Sequence, residues 1–170
     1  LLGRSDNELA DSLVRQIGLE VAGEGEIPAG QAVVFEALAS LGVDLGPPVG
    51  DGSGLSRDNR LAAEDLVAVL DAAQDQEWWL TMLDGLSSVG GDGTLAARLD
   101  DDTTVGNVRA KTGTLDDVRA LSGILETSDG ASVLFSFLIN GEAAPEAVEA
   151  MDQIVVAYAS ATLGQLTGDS

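Results

Sequence analysis

The chain has 170 residues, 45% apolar and 4% aromatic, with 8 basic against 29 acidic side chains and a formal net charge of −21. That is one domain's worth of chain with enough apolar material for a core, and its acidity repels nucleic acid and anionic membranes, so neither is expected as a partner. It contains no Cys and no His, which excludes disulfides, thiolate chemistry and a Ser-His-Asp triad within the chain and argues against a zinc site.

No run of about 18 apolar residues exists to span a bilayer. The opening Leu1-Leu2-Gly3-Arg4 does not resemble a secretion signal and reads as the middle of a longer protein. Ser5-Asp6-Asn7-Glu8 opens the first predicted helix, with Leu9, Leu13 and Ile17 at helical spacing and Val14 alongside. Ser5 and Glu8 fit a capping box, which is the plain structural role for Ser5. The helix is expected to stop near Gly18. A second helix begins around Ile27 to Gly30, packs through Ala32, Val33, Phe35, Leu38 and Leu41, and closes at Gly42. Val43 to Val49 reads as an extended connector stiffened by Pro47-Pro48.

Asp51-Gly52-Ser53-Gly54-Leu55-Ser56-Arg57-Asp58-Asn59 is a polar loop punctuated by glycine. Its acidic spacing resembles a calcium loop, but Leu55 and Arg57 stand where ligands should be and the terminal Glu fails. A well-ordered turn and a wall of a binding cleft are the other two readings. Ala62 to Ala73 is a helix with Leu66, Val67, Val69 and Leu70 as its apolar stripe. Glu77 to Leu86 is a further short helix in which Trp78 and Trp79 divide between core and surface. Thr94 to Leu99 forms a helical turn, and Asp100-Asp101-Asp102 a solvated acidic loop, since three consecutive carboxylates seldom converge on a metal.

Val108 to Thr114 is a strand that carries Lys111-Thr112-Gly113-Thr114, and Lys111 is the only lysine in the chain. Val118 to Thr127 runs back, and Asp129-Gly130 is a strong hairpin signal before a third strand, Ala131 to Ile139. The third strand is almost continuously apolar, which predicts cover on both faces. Pro145 starts the last helix, with Val148, Met151, Val155 and Tyr158 on its apolar face. Thr167 to Ser170 is a frayed end. Helices, then three antiparallel strands, then a helix on the sheet make an α+β pattern. A lone cation on a strand beside Gly113 and the hydroxyls of Thr112 and Thr114 suits an anionic ligand lying along the strand edge. A solvent-facing Lys followed by a strand-end Gly is the bland alternative.

Ser5-Asp6-Asn7 and Lys111-Thr112-Gly113 together match the S-D-N and K-T-G elements of penicillin-binding proteins and class A β-lactamases. With Asp51 to Asn59, Gly91-Asp92-Gly93-Thr94-Leu95 and Ala110 to Thr114, the chain resembles the D-alanyl-D-alanine carboxypeptidase/endopeptidase family, the class C low-molecular-mass penicillin-binding proteins. The resemblance runs from Ser5 to about Tyr158. It implies a β-lactamase/transpeptidase-like fold, an antiparallel sheet flanked by helices. Residues 1–170 would form the C-terminal part of the catalytic domain, holding three of the family's five strands.

The family's nucleophile lies in an S-x-x-K box upstream of S-D-N. No Ser here is followed three residues later by Lys, so a separate N-terminal part is expected to bring it. The resemblance implies an extracytoplasmic serine-type carboxypeptidase that acts without cofactor or metal on peptidoglycan stem peptides ending in D-Ala-D-Ala, forms an acyl-enzyme, and is inhibited by β-lactams. Ser5 would relay a proton to the leaving amine, aided by Lys111. Asn7 would hold the substrate's acyl-side carbonyl and the partner Lys. Thr114, with Thr112 as second candidate, would bind the substrate carboxylate. Gly113 would allow close approach, and Ser53 and Leu55 would line the cleft. A silent peptidoglycan-binding homologue and a β-lactamase are the competing functions.

Overall fold

The computed structural model describes residues 1–45, 50–99 and 101–168. Most of the connector read around Pro47-Pro48, the first of the three aspartates, Asp100, and the last two residues of the tail lie outside the described residues. The chain forms two compact units: one holds Leu1 and Asp6–Gln76, the other Leu2–Ser5 and Glu77–Ser170.

The first unit is helical. Helix α1 (Asn7–Ile17) begins at Asp6, whose carboxylate accepts the Leu9 amide at 2.9 Å. The capping box expected of Ser5 is therefore not formed. Ser5 stands one residue too early, at φ 54, and the Asp6 carboxylate reaches the orphan amide instead. The α-helix ends at Gly18 as expected, and a π-helical turn, Gly18–Ala22, follows it and closes at Gly23. Helix α2 (Ile27–Ser40) packs on α1 by backbone approach. A Cβ on Gly30 would stand 1.9 Å from the Val14 carbonyl oxygen, so only glycine fits there. Helix α3 (Ala63–Gln74) is held at its start by the Asp65 carboxylate on the Ala62 amide, 2.7 Å. Its predicted stripe is only half-buried, and Ala73 is the residue that reaches the core.

The second unit is a sheet with a helix on one face. After α4 (Trp79–Gly85) come β1 (Ser87–Ser88), β2 (Val108–Leu115), β3 (Val118–Glu126) and β4 (Ser132–Asn140), adjacent in that order and all antiparallel. The three strands read from the sequence are present. Strand β1 was not foreseen, because two residues carry no alternation. Val108, Ala110, Leu121, Leu125 and Phe135 project to one face. There they meet Met151 and Val155 of α5 (Ala147–Ser160) and Leu95 and Leu99 of the preceding turn. Side chains of period 2 on the strands and 3.6 on the helix produce this seam.

Two expectations fail here. Strand β4 is not covered on both faces: of its apolar run only Phe135 is buried, because β4 is the last strand of the described sheet. Tyr158 is 42% exposed, and Ala159 takes the inward position on α5. After α5 comes a short helical turn that the sequence did not announce, α6 (Leu163–Thr167), capped by Thr162 on the Gln165 amide.

Candidate active site

The second unit brings together two residues 106 positions apart: Lys111 Nζ donates to Ser5 Oγ at 2.8 Å. The local reason starts at Asp6. Because Asp6 caps α1, the Ser5 hydroxyl is not drawn into the helix end. Ser5 instead closes a turn, its amide on the Leu2 carbonyl at 3.2 Å. Its left-handed backbone is unusual for a non-glycine residue and marks a conformation that surrounding structure has to hold.

Lys111 sits on the sheet face opposite the core. The register sets Lys111 beside Ser122 and Ser122 beside Ser136, a polar row across three strands. The Ser122 and Ser136 hydroxyls bond each other at 2.8 Å. The ammonium also donates to the Thr112 carbonyl. Burial disfavours its charged form and draws the Lys111 pKa below the usual 10.5. An ammonium of lowered pKa against a hydroxyl is a competent proton relay.

The backbone defines the other half of the site. Val108 accepts the Val89 amide on the β1 side at 3.2 Å, whereas Asn107 accepts the Glu126 amide on the opposite side at 2.9 Å. Alternation then turns the amides and carbonyls of Ala110, Thr112 and Thr114 toward the β1 side. Strand β1 pairs only as far as Ala110. Among the described residues no strand pairs with Thr112 or Thr114 there, so their backbone groups form an open edge suited to an extended ligand. Gly113 faces β3 with its backbone, and a Cβ on it would stand 3.0 Å from the Ala120 Cβ. Its lack of a side chain thus serves the sheet packing as well as ligand approach.

The Thr112 hydroxyl donates to Thr94 Oγ1 at 2.8 Å, and Thr114 is exposed beside it. Arg109 takes no part in this cluster: its guanidinium bonds the Leu83 carbonyl at 3.3 Å and lies 3.6 Å from Asp84. The sequence puts Thr94 at the start of a helical turn and in the Gly91–Leu95 segment of the family resemblance, with no role of its own.

The remaining predicted residues belong to the first unit. Asn7 is half-buried in the first turn of α1. Ser53 Oγ donates to the Asp51 carboxylate at 2.8 Å, and Leu55 is 48% exposed. Asp51 also accepts the Ser56 amide (2.8 Å), the Gly54 amide (2.9 Å) and the Asn59 side chain (3.1 Å). These bonds make the loop a well-ordered turn. Burial pushes the Asp51 pKa up, but the bonds from Asn59, Ser53, Ser56 and Gly54 outweigh it and hold the group below 3.8.

The profile of the family described as D-Ala-D-Ala carboxypeptidase 3 (S13) matches residues 1–161. A D-alanyl-D-alanine carboxypeptidase of an Actinomadura species is 40% identical over 161 residues, covering 91% of this chain and 30% of that protein. Carboxypeptidase DacB of Mycolicibacterium smegmatis is 34% identical over 171 residues, covering 96% of this chain and 37% of that protein. Among solved structures, penicillin-binding protein 4 of Haemophilus influenzae complexed with a β-lactam superposes with a TM-score of 0.79 at 34% identity. That match covers 84% of this chain and 34% of that one. The chain thus spans about a third of the length of these relatives.

Proposed function

The chain belongs to the D-Ala-D-Ala carboxypeptidase 3 (S13) family, and from this membership we propose that it is the C-terminal part of the catalytic domain of a serine-type D-Ala-D-Ala carboxypeptidase. The observation that carries the reading is the 2.8 Å bond from Lys111 to Ser5. It joins the K-T-G and S-D-N elements at one point, as a shared proton relay requires.

The nucleophilic serine and its own lysine come from an N-terminal part of the protein outside these 170 residues, since no S-x-x-K occurs within them. That serine attacks the carbonyl of the D-Ala-D-Ala amide of a peptidoglycan stem peptide. The tetrahedral oxyanion is stabilised by the Thr114 amide on the open edge of β2, a contribution of about 3 kcal/mol in comparable sites. Ser5 passes a proton to the departing D-Ala amine and is recharged through Lys111. Water then hydrolyses the ester. Two easier steps replace one hard one.

Thr114, with Thr112 as second candidate, addresses the substrate carboxylate; the family resemblance assigns Asn7 to the acyl-side carbonyl and Ser53 and Leu55 to the peptide. β-Lactams mimic the scissile amide and acylate the same serine. Peptidoglycan places the protein outside the cytoplasm. Among the described residues no helix is long and apolar enough to cross a membrane.

The test uses the full-length protein. It should release D-Ala from a peptide ending in D-Ala-D-Ala and be labelled covalently by a fluorescent penicillin. Absence of both would refute the proposal, and rapid turnover of penicillin would identify a β-lactamase instead.

A further inference from the structure

We infer that Asp11 is a positioning residue of this site: its carboxylate ties the loop of residues 51–59 to helix α1 and so fixes where that loop stands relative to Asn7. The inference rests on the carboxypeptidase reading above, in which Asn7 serves the acyl-side carbonyl and Ser53 and Leu55 the peptide. It adds a residue that acts through those groups and touches no substrate itself.

The residues concerned all belong to the first unit. Asn7, Asp11 and Val14 follow one another along α1 at helical spacing, so they share one face of the helix, and all three are half-buried. The loop comes down on that face at Gly52. Asp11 Oδ1 accepts the Gly52 amide at 2.9 Å. A Cβ on Gly52 would stand 2.7 Å from Val14 Cγ2 and 2.8 Å from the Ala10 carbonyl oxygen, so the loop backbone lies directly on the helix and only glycine allows it. The donor is a backbone N–H and the acceptor a carboxylate, so the direction of this bond is fixed by its chemistry. A carboxylate acceptor also makes it one of the stronger kind.

The path from one functional residue to the other is short. Asn7 and Asp11 are one turn apart, about 6 Å along the helix axis. The 2.9 Å bond carries the path to Gly52. Ser53 is the next residue, and Leu55 follows two places later.

Two carboxylates divide the work. Asp51 holds the loop's own shape, through Ser53, Gly54, Ser56 and Asn59, none of which lies on α1. Asp11 supplies the tie to the helix, and Gln31 of α2 adds a longer one to the Asp51 carbonyl at 3.4 Å. Without Asp11 the loop would keep its shape and lose its placement. A displacement of about 1 Å in a positioning group can cost up to ~10²-fold in rate.

The experiment uses the full-length enzyme and two substrates. One is a complete stem peptide ending in D-Ala-D-Ala. The other is acetylated D-Ala-D-Ala, which lacks the upstream residues that the loop would meet. Asp11→Ala removes the acceptor and suits a helix, and Asp11→Asn keeps an oxygen acceptor in place. Hydrogen exchange at the Gly52, Gly54 and Ser56 amides is followed in the same variants. Asp11→Ala should lower kcat/KM for the stem peptide by roughly tenfold more than for the dipeptide, mainly through KM. Exchange should quicken at Gly52 while Gly54 and Ser56 stay protected. Asp11→Asn should preserve both the preference and the protection. Equal loss for the two substrates, no loss for either, unchanged protection at Gly52, or a loss in Asp11→Asn matching that in Asp11→Ala would overturn the inference. Failure of the parent reading looks different: the unsubstituted protein would then release no D-Ala and bind no penicillin, whereas Gly52 exchange would still respond to Asp11→Ala.

Discussion

Replacing Lys111 by Met should separate catalysis from stability. The substitution keeps the length of the chain and removes the ammonium. Two bonds go with it, the one to Ser5 at 2.8 Å and the one to the Thr112 carbonyl. Each bond from a charged donor is worth about 1.5–3 kcal/mol in favourable cases. Against them stands the cost of holding a charge in a half-buried position, the burial that lowers the Lys111 pKa. The folding stability of Lys111→Met should therefore stay within about 1 kcal/mol of the unsubstituted protein, or exceed it.

Acylation should respond quite differently. Losing the group that recharges the Ser5 relay should slow it by roughly 10²–10⁴-fold. The assay is the single-turnover rate of covalent labelling by a fluorescent penicillin, with a thermal unfolding scan on the same samples. Arg109→Ala is the control, because Arg109 holds Leu83 and lies near Asp84 and does not touch the relay. Loss of less than tenfold in Lys111→Met, or equal losses in the two variants, would refute the assignment.

The pH dependence offers a second check. Between the lowered folded pKa and 10.5 the unfolded chain binds more protons at Lys111 than the folded one. Stability from this group therefore rises with pH across that window, as the burial penalty is relieved. Acylation falls over the same window as the ammonium deprotonates. Lys111→Met should abolish both trends.

Two further predictions concern the supports of the site. Asp51→Ala removes the acceptor shared by Ser53, Gly54, Ser56 and Asn59, and should destabilise the 51–59 loop by about 1–3 kcal/mol. Hydrogen exchange should then quicken at the Gly54 and Ser56 amides; unchanged protection there would show that the loop is held by other means. Since the Asp51 pKa lies below 3.8, its contribution should persist above that pH and vanish as pH falls through the folded value. Arg98 forms a two-pronged pair with Asp152 at 2.6 and 3.2 Å, each side chain about one-fifth exposed. Arg98→Ala should cost about 2 kcal/mol in denaturant unfolding by untying α5 from the turn that carries Leu95, and a cost near zero would make the pair incidental.

Some of the molecule was legible because its cause is local. The β3–β4 hairpin is an example: Asp129-Gly130 favours the turn, and Gly130 stands at φ 80. The strand at Lys111 and the helix near Pro145 follow from the periods of their apolar residues. Asp6 shows how close local reasoning came and where it missed. Two adjacent residues could each cap α1, and which of them does so decides whether the Ser5 hydroxyl is available.

The sequence alone determined which groups exist: one lysine, no histidine, no cysteine, and the order of the S-D-N and K-T-G elements. Those facts narrow the chemistry, since no imidazole or thiol of this chain can carry a proton. Only the tertiary structure decided who meets whom. The pairing of β2 with β3 puts Lys111 on the face away from the core, the short β1 leaves Thr112 and Thr114 on an open edge, and the Gly93 turn sets Thr94 against Thr112. Contacts between residues 18 or 106 positions apart carry no periodic signal along the chain. They arise when buried surfaces such as Leu95, Leu121 and Met151 fix the backbone, and the polar groups are then held where that core leaves them.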